Sequence, residues 1–261
     1  MADKLAVITL TRTPHLFDNV ADCLKPQLPK GTLGIVVNNG QDFDVTKLAV
    51  KYGWACIETP TNLPFAEGNN LAAKVATAEG CTHLLLMNDD LIPDADYVAN
   101  LWENRRYAER GVLGGVFVHS DNGGSVNHAG TLVYPDGVTD HMGRYDDVRK
   151  WEQDRVVPVV AVTFASCLIS TAYWNELKGL DARYFWGWED TDFCLRVIDA
   201  GGINFVHRGA GAVHDECGTR PRGSRSDSMN RDLFIQTWQY RLPDLLRAYF
   251  NRVPNAEGIR P

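Results

Sequence analysis

The most constraining feature of the sequence is an alternation of apolar runs and helical patterns in its first 110 residues. The runs LAVITL (5–10), LGIVVN (33–38) and HLLLM (83–87) are short and apolar on both faces. Strands of this kind occur in parallel sheets that helices cover on both sides. Helical patterns follow them, at about 14–25, 45–52, 65–80 and 94–110. The alternation predicts an α/β fold built from βαβ units.

The second half of the chain mixes strands with polar loops. We predict strands at 112–118, 126–134, 156–167, 204–206 and 210–214, and helices at about 171–177, 190–200 and 231–250. Residues 216–228 are polar and contain several arginines, which is typical of a mobile loop. We therefore expect one domain over 1–215, with an α/β half (1–110) and a mixed half (111–215). Residues 216–261 would form the loop and a C-terminal helix that packs on the domain.

Composition narrows the class of protein. The 261 residues have a formal net charge of −7, which disfavours stable binding to nucleic acid or anionic membranes. The six cysteines are scattered without a CxxC pair, as expected for reduced thiols of a cytoplasmic protein. No apolar run approaches the roughly 20 residues of a membrane span. We therefore expect a cytoplasmic protein, for which a peripheral encounter with a membrane remains open.

Polar residues follow three of the predicted strands. Asn88, Asp89 and Asp90 end the third apolar run, Asn38 and Asn39 end the second, and Thr9, Thr11 and Arg12 end the first. Ligands of open parallel sheets collect at this carboxyl edge. Clustered carboxylates suit Mg²⁺ or Mn²⁺. An isolated NDD, however, is more often a solvated turn before a helix.

A second acidic cluster lies in YFWGWEDTD (184–192). Helix capping explains Asp190 and Asp192 but not the aromatic run before them. Rings such as Trp186 and Trp188 form stacking walls for sugars or bases, and they raise the pKa of a neighbouring acid toward that of a general base. Core packing remains an alternative for each ring. Further along, His214 ends a short apolar strand and offers an imidazole to a metal held by carboxylates.

In their order and spacing, these segments resemble the family 2 nucleotide-sugar glycosyltransferases with the GT-A fold, over about residues 4–215. VVNNGQDFD is similar to the family's V-D-N-G-S-x-D segment, and LLLMNDDLIP lies where the family carries D-x-D. TNLPFAEGNNLA resembles N-x-G-F-A-x-G-N-N-x-G of the rhamnosyltransferase-like branch. The long segment GLDARYFWGWEDTDFCLRVIDAGG resembles G-F-D-E-x-F-F-x-x-x-E-D-x-D-L-C-x-R-x-x-x-A-G. The segment VNHAG resembles an H-A-G segment of some bacterial members. The segment AVHDECG lies where members carry a metal-binding His.

The resemblance implies a metal-dependent inverting transferase that uses a nucleotide diphosphate sugar as donor. Residues 1–110 would be its nucleotide-binding half and residues 111–215 its acceptor half. Asp190 would be the general base and Glu189 would hold substrate hydroxyls. Asp90 and His214 would bind Mg²⁺ or Mn²⁺, and Trp186 and Trp188 would line the site of a carbohydrate, glycolipid or other hydroxyl acceptor. The residues expected around the donor are Thr9, Thr11, Arg12, Asn38, Asn39, Asn69, Asn88, Asp89 and Arg225.

Two departures from the family pattern matter. Asn88 stands at the first acidic position of D-x-D, so the metal would rest mainly on Asp90, with Asp89 assisting through water or holding the donor sugar. Asn38 replaces an acid that commonly reads the nucleobase, and its amide can both accept and donate hydrogen bonds. The base preference is therefore open.

Three alternatives compete with a glycosyltransferase. A nucleotidyltransferase also uses carboxylates and Mg²⁺, but LTRTPHLFDN lacks the Gly-rich basic phosphate loop expected near its N-terminus. A non-catalytic carbohydrate-binding relative is a second alternative, which the complete WEDTD segment disfavours. A DNA-modifying transferase is a third, which the acidic charge disfavours. Arg220, Arg222 and Arg225 lie in a segment that is either a solvated basic loop or a lid over a diphosphate.

Overall fold

The structure is a computed structural model that describes residues 2–120, 124–151, 155–215 and 225–260. For 225–227 it describes the helical backbone but not the side chains. Cys217, Arg220 and Arg222 lie outside the described residues, as does most of the predicted loop at 216–228. The five cysteines of the described part are free thiols.

The first half is a parallel sheet, as predicted. Its strands are β1 (Leu5–Thr11), β2 (Leu33–Asn38), β3 (Ala55–Glu58) and β4 (His83–Met87), in the spatial order β3-β2-β1-β4. The helices between them are α1 (Pro14–Leu24), α2 (Phe43–Tyr52) and α3 (Phe65–Ala78). On β1, Ala6 and Ile8 join one buried cluster while Leu5 and Val7 join another on the opposite face. Burial of both faces explains why these strands are apolar throughout.

The second half continues the same sheet. Its larger strands are β6 (Leu113–His119), β10 (Val156–Val159), β11 (Ser166–Ser170) and β12 (Asn204–His214), and the full order is β10-β12-β6-β11-β4-β1-β2-β3. β11 is antiparallel to both β4 and β6, and β10 is antiparallel to β12. Six of these eight strands therefore run in one direction. The short β5 (Leu91–Pro93) and β7 (Val126–His128) extend the sheet, and β8 (Thr131–Val133) pairs with β9 (Thr139–His141).

Four predicted strands of the second half divide or join differently in the structure. The strand predicted at 156–167 is two strands, because β12 and β6 lie between β10 and β11 and the chain must cross them. The strand predicted at 126–134 breaks at Gly130, whose φ of +124° turns the chain. The two short strands predicted at 204–206 and 210–214 form one strand, β12, with an irregularity between Val206 and Gly211.

The remaining helices are α4 (Tyr97–Glu103), α5 (Thr171–Glu176), α6 (Glu189–Asp199), α7 (Arg225–Trp238) and α8 (Leu242–Arg252). The helix predicted at 94–110 is shorter and ends in a 3₁₀ turn at Arg105–Ala108. The helix predicted at 231–250 is two helices. Pro243 has no N–H to continue a preceding turn, and it lies in the first turn of α8, where that loss costs nothing.

The C-terminal helices pack against α6 and the edge of the sheet. Phe234 and Trp238 of α7 and Leu246 of α8 belong to one of the two buried clusters of the domain. The indole N–H of Trp238 donates to Oδ1 of Asp192 at 2.9 Å. Nε of Arg196 donates to the other oxygen at 2.8 Å, so the buried carboxylate of Asp192 joins α6 to α7.

Replacing Asp192 with Ala should strongly destabilise the fold. The change leaves Arg196 and the Trp238 indole without their buried acceptor, and loss of one partner of a buried ion pair costs about 3–5 kcal/mol. Asp199→Ala, on the same helix, removes only an exposed pair with Arg241 (3.0 Å) and should cost about 0–1 kcal/mol. Urea unfolding of both variants measures the difference. Equal free energies of unfolding would show that Asp192 does not join the helices.

Candidate active site

A cleft lies at the carboxyl edge of the parallel strands, where ligand sites were predicted. Its walls come from the end of β1, the loop after β2, the start of α3, the turn after β4 and the loop before α6. The residues that line it are Leu10, Thr11, Arg12, Thr13, Asn39, Phe65, Asn88, Asp89, Asp90 and Trp186. The first acidic cluster and one of the predicted aromatic residues therefore face the same space.

Within the cleft, Thr11 contacts Asp89 directly. The Thr11 hydroxyl donates to Oδ2 of Asp89 at 2.7 Å. Burial raises the pKa of Asp89 to about 6, and the charge of Asp90 adds to the rise while the Thr11 hydrogen bond opposes it. Thr9, two residues earlier on β1, is fully buried, and its hydroxyl makes no hydrogen bond to the described residues.

Three predicted donor-binding asparagines hold neighbouring backbone. Asn38 donates to the carbonyl of Asp42 (2.9 Å) and to the carboxylate of Glu58 (2.8 Å). Asn39 exchanges two hydrogen bonds of 2.8 Å with the backbone of Leu63. Asn69 donates to the carbonyl of Phe65 at 3.0 Å, within α3. All three are buried, and of them only Asn39 lines the cleft.

Glu58 was missed in the sequence analysis. It is the last residue of β3, and its exposed carboxylate accepts hydrogen bonds from Asn38 and from the Thr46 hydroxyl. The Thr46 hydrogen bond is the main cause that lowers the pKa of Glu58. The position at the carboxyl end of a parallel strand was the available signal. Because β3 is short and half-exposed, it contains no long apolar run, and the sequence analysis did not predict it as a strand.

Asp90 and His214 come together as the resemblance implies. Nε2 of His214 lies 3.5 Å from Oδ1 of Asp90, and both side chains are largely buried. That carboxylate oxygen accepts no hydrogen bond from the described residues. A carboxylate and an imidazole with free electron pairs in one buried place fit a divalent cation. No group of three His, Cys, Asp or Glu residues suited to a metal occurs in the described part of the chain.

The second acidic cluster meets the first across the segment 163–165. The backbone N–H of Asn88 donates to the carbonyl of Ala165 at 2.7 Å. The backbone N–H of the preceding residue, Phe164, favours the ionised form of the Asp190 carboxylate and lowers its pKa. The carboxylate also accepts the N–H of Thr191 at 2.7 Å. The two clusters, about 100 residues apart in the chain, are therefore held on either side of one three-residue segment.

Asp190, the predicted general base, has a raised pKa. Burial raises its pKa above the ordinary value for a carboxyl group. Hydrogen bonds from Thr191, Phe164 and Thr163 and the charge of His141 counter only part of the rise. The carboxylate of its neighbour Asp192, in contrast, accepts hydrogen bonds from Arg196 and Trp238. Glu189 is buried at the start of α6.

The aromatic run before α6 divides between cleft and core. Trp186 lines the cleft. Trp188 packs on Phe234, with ring centroids 4.9 Å apart, and has a left-handed backbone with φ of +76°. Asn230 of α7, which the sequence analysis missed, donates to the backbone carbonyls of Trp186 and Gly187. The alternative of core packing thus describes Trp188 better than the predicted acceptor contact.

Arg225, the remaining predicted donor-binding residue, is the first residue of α7, and its side chain lies outside what the structure describes. Within the described ranges, no helix is both long and apolar enough to cross a bilayer.

Comparison with known sequences leaves the family open. No family model matches the chain. Uncharacterized proteins of Mycobacterium bovis and Mycobacterium tuberculosis are 28% identical to it over 172 residues. The match covers 64% of this chain and 58% of each relative, so the chain spans less than two thirds of the length of these proteins.

Comparison with solved structures is more informative. GalNAc-T7 with UDP, GalNAc and Mn²⁺ superimposes with a TM-score of 0.73 at 10% identity, covering 96% of this chain and 50% of that one. Staphylococcus aureus TarS (residues 1–349) has a TM-score of 0.60 at 14% identity, covering 95% and 71%. The Pyrobaculum calidifontis mannosyltransferase PcManGT with GDP-Man and Mn²⁺ has a TM-score of 0.60 at 14% identity, covering 98% and 65%. The chain has the GT-A fold of these glycosyltransferases.

Proposed function

We propose that this protein is an inverting glycosyltransferase that moves a sugar from a nucleotide diphosphate sugar to a hydroxyl acceptor. The observation that carries the proposal is the meeting of the two acidic clusters across 163–165, beside the cleft. One cluster contains the Asp90–His214 pair and the other contains Asp190, whose pKa is raised. The GT-A fold and the nucleotides and Mn²⁺ in the structures of two fold neighbours support it.

The donor would lie along the carboxyl edge of β1, β2 and β4. Thr11, Arg12, Asn39 and Asn88 line this part of the cleft. The carboxylate of Glu58 would recognise the nucleobase by accepting a hydrogen bond from it. The amide of Asn38 is less suited to this role because it already donates to Glu58 and to the backbone of Asp42. Asn38 would then position the Glu58 carboxylate, which accepts the hydrogen bond from the base.

Asp90 and His214 are the residues that would hold Mn²⁺ or Mg²⁺. The metal, when bound, supplies positive charge that offsets the charge developing on the leaving diphosphate. Asp89 stays beside the cation site, held by Thr11, and its raised pKa favours a hydrogen-bonding role toward the donor sugar over direct coordination.

Asp190 would take the proton of the acceptor hydroxyl. The hydroxyl oxygen then attacks the anomeric carbon from the face opposite the diphosphate, the bond to the diphosphate oxygen breaks, and nucleoside diphosphate leaves. A half-buried aspartate with a raised pKa is a stronger base than an ordinary aspartate. Trp186 would form the acceptor wall, with Glu189 holding a hydroxyl beside it. The acceptor class stays a carbohydrate, a glycolipid or another alcohol.

The donor can be identified by binding. We would measure the melting temperature of the protein with UDP, GDP, dTDP and CDP sugars, with and without Mn²⁺. Sugars of one nucleobase should raise it, and they should raise it more with the metal than without it. Incubation with that donor should release nucleoside diphosphate slowly, through transfer to water. Pyrophosphate release from a nucleoside triphosphate and a sugar phosphate would instead identify a nucleotidyltransferase. A stabilising sugar with no nucleotide requirement would identify a carbohydrate-binding protein.

Asp190→Asn should remove transfer and leave donor binding nearly unchanged. The amide keeps the shape of the side chain but cannot accept a proton, and loss of a general base costs about 10²–10⁴-fold in rate. Rates of nucleotide release and calorimetric donor affinity measure the two effects. Asp199→Asn, at the exposed end of the same helix, is the control and should change neither. Parallel loss of rate and affinity in folded Asp190→Asn would exclude the base assignment.

The same substitution should stabilise the resting protein at neutral pH. A carboxyl with a raised folded-state pKa favours folding fully below its unfolded pKa, and this contribution is lost as the pH rises through the folded-state pKa. The neutral amide has no such loss. Asp190→Asn should therefore unfold at a higher urea concentration than the parent at pH 7, with the difference vanishing below the ordinary aspartate pKa. A difference independent of pH would show that burial of the charge is not its origin.

Asp90→Ala and His214→Ala should each remove the effect of Mn²⁺ on nucleotide binding. We expect Mn²⁺ affinity to fall by more than the roughly 10–100-fold that loss of an outer-shell partner costs. Titration of Mn²⁺ followed by electron paramagnetic resonance measures the affinity directly. Asp94→Ala, just beyond β5, is the control that keeps the Asp90–His214 pair. Unchanged Mn²⁺ binding in both variants would make the Asn88–Asp90 segment a solvated turn.

A further inference from the structure

Asn127 lies between two histidines next to the proposed metal site. It is the middle residue of β7 and is fully buried. Its Oδ1 is 3.3 Å from Nδ1 of His214, and its Nδ2 is 3.3 Å from Nδ1 of His119. The VNHAG segment that contains it has no role in the reaction proposed above.

The sheet places the two histidine rings side by side. His119 ends β6 and His214 ends β12, and the parallel register pairs these two residues directly. β7 pairs with β6 on its other side, through Phe117 with His128 and Val118 with Val126. One amide side chain can therefore reach both rings.

The amide determines the proton position on His214. A carbonyl oxygen only accepts, so the contact from Oδ1 of Asn127 requires a proton on Nδ1 of His214. The neutral ring then has its electron pair on Nε2, the atom that lies 3.5 Å from Asp90. Two electron-pair donors facing each other repel unless a cation lies between them. This tautomer is the one that binds a metal through Nε2.

The same amide determines the opposite proton position on His119. An NH₂ group only donates, so the contact from Nδ2 of Asn127 requires an electron pair on Nδ1 of His119. The neutral ring then carries its proton on Nε2. That nitrogen is buried and makes no hydrogen bond to any residue the structure describes. Among the described residues, the Nε2–H group of His119 therefore has no acceptor, and it lies next to the ring that would bind the metal.

We propose that Asn127 fixes opposite tautomers in the two histidines, so that His214 can bind a metal through Nε2 while His119 presents an N–H group beside the metal site. The inference rests on the proposed function, because it assigns a positioning role at the same metal site. A role confined to packing is the competing explanation. A packing role would depend only on the size and shape of the Asn127 side chain. It would not depend on an oxygen facing one ring and an NH₂ group facing the other.

Nuclear magnetic resonance tests the tautomers without turnover. In a long-range ¹H–¹⁵N spectrum of ¹⁵N-labelled protein at pH 8, His214 should have its proton on Nδ1 and His119 on Nε2. His214→Gln and His119→Gln variants assign the two rings. The same tautomer in both rings, or the reverse assignment, would overturn the proposal.

Asn127→Asp and Asn127→Leu separate chemistry from shape. The aspartate keeps an acceptor for His214 but cannot donate, so His214 should keep its tautomer while Nδ1 of His119 becomes protonated. The leucine removes both contacts, and Mn²⁺ affinity should fall by roughly 10–100-fold, as for other outer-shell partners. Circular dichroism confirms that both variants fold. Mn²⁺ affinity and ring spectra that are unchanged in both variants would contradict the proposal.

The outcome for His214→Gln distinguishes failure of this inference from failure of the proposed function. If His214→Gln abolishes Mn²⁺ binding while the Asn127 variants have no effect, the metal site stands and Asn127 has no positioning role. If Mn²⁺ binding does not depend on His214, the proposed function loses its metal ligand.

Discussion

The site depends on the insertion of one antiparallel strand, β11, between β4 and β6. The register of β11 on β4 pairs Ser166 with Met87, which places the preceding residues beside the Asn88–Asp90 turn. The carbonyl of Ala165 then accepts from the N–H of Asn88, and the N–H of Phe164 favours the ionised form of Asp190. A register slip of one residue would exchange the faces of β11 and separate the two carboxylate groups. The strand pairing is thus a condition for the chemistry as well as for the fold.

The acidic residues of the two clusters differ in how their charge is compensated. Asp192 is paired with Arg196 and Trp238 and stabilises the helix packing. Burial raises the pKa values of Asp89 and Asp190, and the hydrogen bonds to these carboxyls counter it only in part. Carboxylates kept in this state lower the stability of a fold, and they are common where a protein needs a base or a ligand. Asp192, whose charge is compensated by its partners, therefore has a structural role, whereas Asp89 and Asp190, whose charges are compensated only in part, are the acids proposed to act on the substrates.

The sequence predicted the first half of the fold well because its signals are local. Strands buried on both faces appear in the sequence as continuous apolar runs, and amphipathic helices appear with the helical period, so β1, β2, β4 and α3 lie where expected. The limits of β10, β11 and β12 depend on partners far along the chain, which no local pattern contains. Proximity of Asp90 and His214 followed from the resemblance. The roles of Glu58, Asn127 and Asn230 did not, because each depends on a side chain that arrives from another element.

Asn230 has a consequence for how such a protein can diverge. It holds the backbone of the loop that carries Trp186, while Phe234 on the same helix supports the strained Trp188. The position of the proposed acceptor wall is therefore determined by a C-terminal helix, whereas the proposed donor contacts come from the parallel strands. Changes in α7 would therefore act on the position of the acceptor wall through Asn230 and Phe234. Exchange of α7 between homologues is a route to new acceptors for the proposed transferase.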